Sequence, residues 1–138
     1  MINLKIKHRD IKLIEKHALK NFPFECCGLL IGKSTMKIFD VKETAPTENI
    51  RKSGVSFEAD AELVYGAITT AEAKGLEIVG IYHSHPNMRA FISAADAEAM
   101  KLWPNMVWLV LGVSERIVEK KAFMLKGKKI IELEIKID

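Results

Sequence analysis

Apolar and polar residues alternate at the start of the chain, with Ile2, Leu4 and Ile6 set against Asn3, Lys5 and Lys7. A period of two is that of a half-buried strand. The spacing then lengthens to Ile11, Ile14, Ala18 and Phe22. That is one face of a helix, with Asp10 as its cap and Pro23 as its stop. Residues 25–32 read as a second strand, 33–35 as a turn and 36–41 as a third strand, together a β-hairpin. Residues 44–56 are polar, hold Pro46 and Gly54, and read as a loop long enough to expect a function of it. Asp60 caps a second helix over residues 61–74, whose stripe is Leu63, Val64, Ala67, Ile68 and Ala71, with Gly75 past its end. Residues 76–82 form a strand that leads into His83, and Pro86 ends it or confines it to an edge. Residues 93–100 have helical character, stopping near Pro104. The continuous apolar run 106–111 predicts a central strand covered on both faces. Residues 115–126 and 129–137 complete a pair of strands joined around Gly127. This order predicts one α+β domain, residues 1–138, with a central mixed β-sheet flanked by helices.

Composition narrows the classes of function. The chain has 138 residues, 49% of them apolar and 28% charged, which suits one soluble globular domain with one core. A net charge of +3 without a dominant basic cluster argues against a nucleic-acid partner. Lys120, Lys121, Lys126, Lys128 and Lys129 read as solvated strand and turn surface. The longest strongly apolar run, 106–113, is too short to span a bilayer, so no membrane partner is expected. The first residues lack the apolar core of a signal peptide, and the expected location is the cytoplasm. Cys26 and Cys27 are adjacent and form no disulfide framework. In a strand they face opposite sides as two small buried hydrophobes, and no sequence feature lowers either thiol pKa. His8 and His17, in or beside the first helix, read as surface histidines.

The chemistry concentrates between His83 and Asp96, where His83-Ser84-His85-Pro86 is followed by Ser93 and Asp96. His83 and His85 are two apart on a strand and share a face, while Ser84 points away. Asp96 falls in the first turn of the following helix. Two imidazoles and one carboxylate suit Zn²⁺, with a fourth position for water. Ser93 and Asp96 also read as an N-terminal capping box. Glu25 is the first polar group of a strand that otherwise reads as core. It is either a strand-end glutamate or a buried carboxylate that needs partners.

Glu25 in Glu-Cys-Cys-Gly-Leu-Leu-Ile-Gly, His83-Ser84-His85-Pro86, and Ser93 and Asp96 after seven intervening residues resemble the motif of the JAMM (MPN+) zinc metalloproteases, in their short prokaryotic branch. The resemblance covers nearly the whole chain. It implies an MPN/JAMM fold with a cytidine-deaminase-like layout. The zinc nucleoside deaminases themselves need a Cys-x-x-Cys ligand pair, which is absent. It further implies Zn²⁺ on His83, His85 and Asp96, Glu25 as general base and Ser93 as donor to the oxyanion. The capping and oxyanion readings of Ser93 compete for one hydroxyl. One departure is Ile92, where many relatives have proline before the serine. The implied substrate is the amide or isopeptide bond after the C-terminal tail of a ubiquitin-like or sulfur-carrier β-grasp protein. Loops 44–56 and 87–92, with Met88 and Phe91, are the candidates to flank that tail. A homodimer is expected on resemblance alone. The alternative class is a non-catalytic MPN-type scaffold that has lost zinc and binds protein partners, against which stands a motif with all five residues present.

Overall fold

The structure, a computed structural model, describes residues 2–47 and 61–138. Its elements are β1 (Asn3–Ile6), α1 (His8–Asn21), β2 (Cys27–Ser34), β3 (Ile38–Thr47), α2 (Ala61–Ala73), β4 (Glu77–Pro86), α3 (Ala94–Leu102), β5 (Val107–Val113), β6 (Ile117–Lys126) and β7 (Lys129–Ile137). The sheet is mixed, as expected, but it also closes into a barrel in the order β1-β3-β2-β4-β5-β6-β7. β1 closes it by pairing in parallel with β3 on one side and β7 on the other. A strand period of two reports which face is buried and says nothing of which strands pair, so closure was not legible in it.

Several boundaries move; β2 begins at Cys27 and not at Glu25, and three other changes have a visible physical reason. Lys7, not Asp10, occupies the N-cap of α1, and no side chain caps it. The His8 N–H instead donates to the Asp138 carbonyl at 2.9 Å, so the chain beyond β7 supplies a partner that a capping side chain would otherwise give. Asp10 lies buried in the first turn, where its charge favours the helix dipole. The hairpin turn falls at residues 35–37, because Thr35 Oγ1 accepts the Lys37 and Ile38 N–H groups at 3.2 and 3.1 Å. Residues 44–47 are strand and not loop, since Cys27 pairs with Thr47 and Leu30 with Thr44. Pro46 is tolerated there because β1 reaches only Ile38–Asp40, which leaves this end of β3 an edge among the described residues. The rest of the expected loop, and the Asp60 cap, lie outside the described residues.

The main core fills the space between α1 and one face of the sheet. Ile11, Ile14 and Ala18 pack there with Leu4, Ile6, Leu30, Tyr82, Leu109 and Leu111. On the other face Trp108 and Val110 are also buried, so β5 is covered on both sides as its apolar run predicts. His17 is not a surface residue. Its Nδ1 lies 2.7 Å from Tyr82 Oη, and burial, then Lys20, pushes its pKa down. α2 buries a narrower stripe than expected, with Ala71 buried and Leu63 exposed. Gly75 ends it at φ +73°, the left-handed conformation of a C′ glycine. No helix among the described residues is long and apolar enough to cross a membrane.

Candidate metal centre

β4 and β5 run side by side in parallel, with His83 opposite Val110 and Pro86 opposite Val113. Their carboxyl ends open towards α3, the position at which parallel strands commonly present a site. His83 and His85 extend from this end of β4 on the face away from α1. Both are buried, and their rings meet edge to face with centroids 4.9 Å apart. Trp108 packs edge-on against His83 at 5.5 Å, and Phe91 stacks on His85 at 4.7 Å with an interplanar angle of 19°.

Asp96 comes to these rings through the first turn of α3. Ser93 Oγ accepts the Asp96 N–H at 3.0 Å, and Asp96 Oδ2 accepts the Ser93 N–H at 3.1 Å, a complete capping box. The cap uses a lone pair of the Ser93 hydroxyl and leaves its proton to donate elsewhere. The two readings of Ser93 therefore draw on different halves of one group.

Asp96 Oδ2 also lies 3.1 Å from both His83 Nε2 and His85 Nε2. His83, His85 and Asp96 offer three ligand atoms within 4.8 Å of one another. Bonds of about 2.0–2.1 Å at tetrahedral angles set neighbouring ligand atoms about 3.4 Å apart, close to these contacts. The donor set therefore fits a zinc ion. Glu25, 2% exposed just before β2, places Oε1 at 3.2 Å from His85 Nδ1. The His85 imidazole thus has a carboxylate at each nitrogen, the arrangement that orients a metal-ligating histidine. Burial alone would lower the His85 pKa, but its hydrogen bonds to Asp96 and Glu25 outweigh that and raise it to about 9. Burial would raise the Asp96 carboxyl, yet the bonds from His83 and His85 hold it well below the usual carboxylate range.

All five motif residues meet at one end of the sheet. The cysteines stand apart from this chemistry. Both are free and buried, and burial pushes the Cys26 thiol up to about 12 and raises that of Cys27. Met88 and Phe91 are both partly exposed, and the ring of Phe91 covers His85.

The loop between β4 and α3 is pinned from below without a proline at position 92. The Asn87 N–H donates to the Val113 carbonyl at 2.6 Å, and Glu119 Oε1 accepts the Ala90 N–H at 3.0 Å. Gly112 lies directly under the loop, and a Cβ there would meet the Met88 carbonyl oxygen and sit 2.8 Å from Arg89 Cα. Gly112→Ala should therefore lift the loop and with it Phe91 and Ser93. We expect at least a tenfold loss of zinc affinity, by analogy with the loss of a partner to a ligand histidine. A chelator-competition titration that gives an unchanged affinity would refute this.

Beside the centre runs an apolar groove of about 690 Å³, lined among others by Cys27, Thr47, Val64, Tyr65, Ile68 and Trp103. Cys27 is the register partner of His83, so the groove leads to the cluster of His83, His85 and Asp96. Sequence reasoning missed Tyr65 and Trp103. Their signal was available, since both are large aromatic residues off the buried helix stripe and are 63% and 53% exposed.

Comparison with known proteins agrees with this geometry. The Desampylase of Pyrococcus furiosus is 39% identical over 115 residues, covering 83% of this chain and 76% of that protein. A Thermus thermophilus protein named "Probable TtuB-protein conjugate cleaving protease" is 32% identical over 81 residues, covering 58% of this chain and 51% of that protein. The solution structure of a protein from Desulfitobacterium hafniense superposes with a TM-score of 0.85 at 26% identity, over 98% of this chain and 92% of the other. The model for prokaryotic homologues of the JAB domain matches residues 9–126, a span that holds the whole His-His-Asp centre and Glu25, and the chain belongs to that family.

Proposed function

We propose that this chain is a cytoplasmic zinc metallopeptidase, one domain over residues 1–138, that cleaves the amide or isopeptide bond after the C-terminal tail of a ubiquitin-like or sulfur-carrier β-grasp protein. The observation that carries the reading is the convergence of His83 Nε2 and His85 Nε2 on Asp96 Oδ2, with the buried carboxylate of Glu25 against the same imidazole. The names of the relatives, a desampylase and a conjugate-cleaving protease, support this substrate class.

Held by His83, His85 and Asp96, zinc supplies Lewis acidity and lowers the pKa of water to about 7. Glu25 takes the proton of the attacking water and returns it to the leaving amine. Ser93 donates the hydrogen left over from its cap to the developing oxyanion. One such donor contributes about 3 kcal/mol to the transition state. The apolar groove and the edge that β3 presents among the described residues hold the extended tail, partly by main-chain pairing.

The test is an intact-mass assay with zinc-loaded protein and a panel of β-grasp proteins, each with a C-terminal extension or a lysine-linked partner. Cleavage directly after the tail is expected, and it should vanish with a chelator and in Asp96→Asn. No cleavage by zinc-loaded protein across the panel would sink the substrate assignment. Binding of the panel without any uptake of zinc would instead favour the scaffold. Phe91→Ala should lower zinc affinity about tenfold by uncovering His85. Met88→Ala, which touches no ligand, should change KM alone. Equal effects of the two on zinc affinity would show that the stacking does not matter.

A further inference from the structure

Ser84 stands between the two metal-ligand histidines but faces the other side of β4, towards the α1 core. It is 1% exposed. A hydroxyl buried there is costly unless it is hydrogen-bonded. Its Oγ accepts the Cys26 N–H at 2.9 Å, and its own N–H donates to the Cys26 carbonyl at 3.1 Å. One residue thus holds both main-chain polar groups of Cys26.

The local register shows what this does. The β2–β4 ladder begins with Cys27 opposite His83. One step further, Cys26 faces Ser84, and a regular antiparallel rung would send the Cys26 N–H to the Ser84 carbonyl. The side-chain oxygen takes that bond instead, so the chain departs from ladder geometry one residue after Glu25. β2 starts only at Cys27, two residues after Glu25. The side chain of Glu25 nevertheless reaches His85 Nδ1 at 3.2 Å in a buried site.

We infer that Ser84 is a positioning residue that acts through Cys26 to set the Glu25 carboxylate against His85. The inference deepens the proposed metallopeptidase reading and rests on Glu25 having the role given it there. It also gives the middle residue of His-Ser-His a task separate from the ligands. His83 and His85 hold the metal from one face of β4, while Ser84 aligns the carboxylate from the other.

The test compares Ser84→Ala and Ser84→Thr with the parent chain, all zinc-loaded. The first readout needs no substrate. In ¹⁵N-resolved proton spectra the His85 Nδ1–H should be slow to exchange in the parent and in Ser84→Thr. It should be lost to exchange in Ser84→Ala, as in a Glu25→Ala control. Zinc affinity should fall about tenfold in Ser84→Ala, where His85 loses its carboxylate partner, and hold in Ser84→Thr. The second readout is turnover. Ser84→Ala should lower kcat about 10- to 100-fold with little change in KM, the size of effect seen when a partner of a site residue is lost. Ser84→Thr, which keeps the hydroxyl, should recover most of it. In a Glu25→Gln background, Ser84→Ala should lower the residual rate no further.

A melting temperature that falls in Ser84→Ala while the His85 signal and kcat hold would overturn the inference, leaving Ser84 a packing residue. So would equal losses in the alanine and threonine variants. If Ser84→Ala does not fold, Ser84→Cys, with its weaker acceptor, takes its place and should give an intermediate loss of the His85 signal. An unchanged signal there would overturn the inference. A parent chain that cuts no conjugate would count against the substrate assignment and leave the spectroscopic result to decide the role of Ser84.

Discussion

Glu25→Gln should lower kcat by about 10²- to 10⁴-fold, the usual contribution of a positioned general base, while zinc affinity stays as it was. The substitution is chosen because it separates two roles that the geometry joins. Glutamine has nearly the shape of glutamate and keeps an oxygen that can accept from His85 Nδ1 at the observed 3.2 Å. What it loses is the ability to take a proton at neutral pH. If Glu25 only oriented His85, the amide would do that work almost as well. A charge-dependent share of the orientation would then show as a loss of zinc affinity of about tenfold at most, with turnover of the loaded enzyme retained. Single-turnover cleavage and chelator competition on the same preparation distinguish the two. A full-rate enzyme at saturating zinc would remove Glu25 from the proton transfer.

The second large effect is on the fold. Gly28→Ala should destabilise the chain by about 3 kcal/mol, at the upper end of what overpacking costs. A Cβ at position 28 would fall inside the van der Waals shells of Tyr82 Cε2, Cζ and Oη. The ring cannot swing away cheaply. It is 1% exposed and its hydroxyl lies 2.7 Å from His17 Nδ1. For a chain of this size such a loss lowers the melting temperature by about 10 °C. Tyr82→Leu shortens the obstructing side chain, so the double variant should melt higher than the two separate losses summed would give. A Gly28→Ala protein that melts within about 2 °C of the parent would mean that the ring has room to move. Because Tyr82 immediately precedes His83, the packing that holds α1 to the sheet also bears on the ligands.

The parts of the site legible in the sequence were those set by local periodicity. His83 and His85 share a face by the two-residue repeat, and Asp96 follows Ser93 at the spacing of a capping box. Glu25 belonged to the site only by family resemblance. Its contact with His85 joins the approach to β2 with β4, and no local pattern encodes that contact. The Ser84–Cys26 bond was illegible for the same reason. The residue was known to point away from the ligands, but what lay on the other side was not. His17 could have been read better. It sits between Ile14 and Ala18 at helical spacing, on the edge of the buried stripe, and Tyr82 in an apolar strand needs a hydroxyl partner. The misplaced start of α1 reflects a donor's partner that comes from the far end of the chain, where a local capping rule does not look. The strand character of residues 44–47 was hidden by their polarity, since pairing with β2 and not burial makes them a strand.

Closure of the barrel has a consequence for how the molecule is made. Residues 3–6 lie between β3 and β7, and their β7 partners are residues 134–137. Such a pairing joins strands far apart in sequence at a high loop-closure cost, and topologies of this kind fold slowly. On the ribosome, β1 can meet β3 early, but its second edge stays open until β7 has emerged from the exit tunnel. A chain stalled or cut short before β7 would present unpaired edges on β1 and β6 together. Quality control during synthesis would therefore meet this protein as an open sheet, and its resistance to proteases should appear abruptly once β7 is in place.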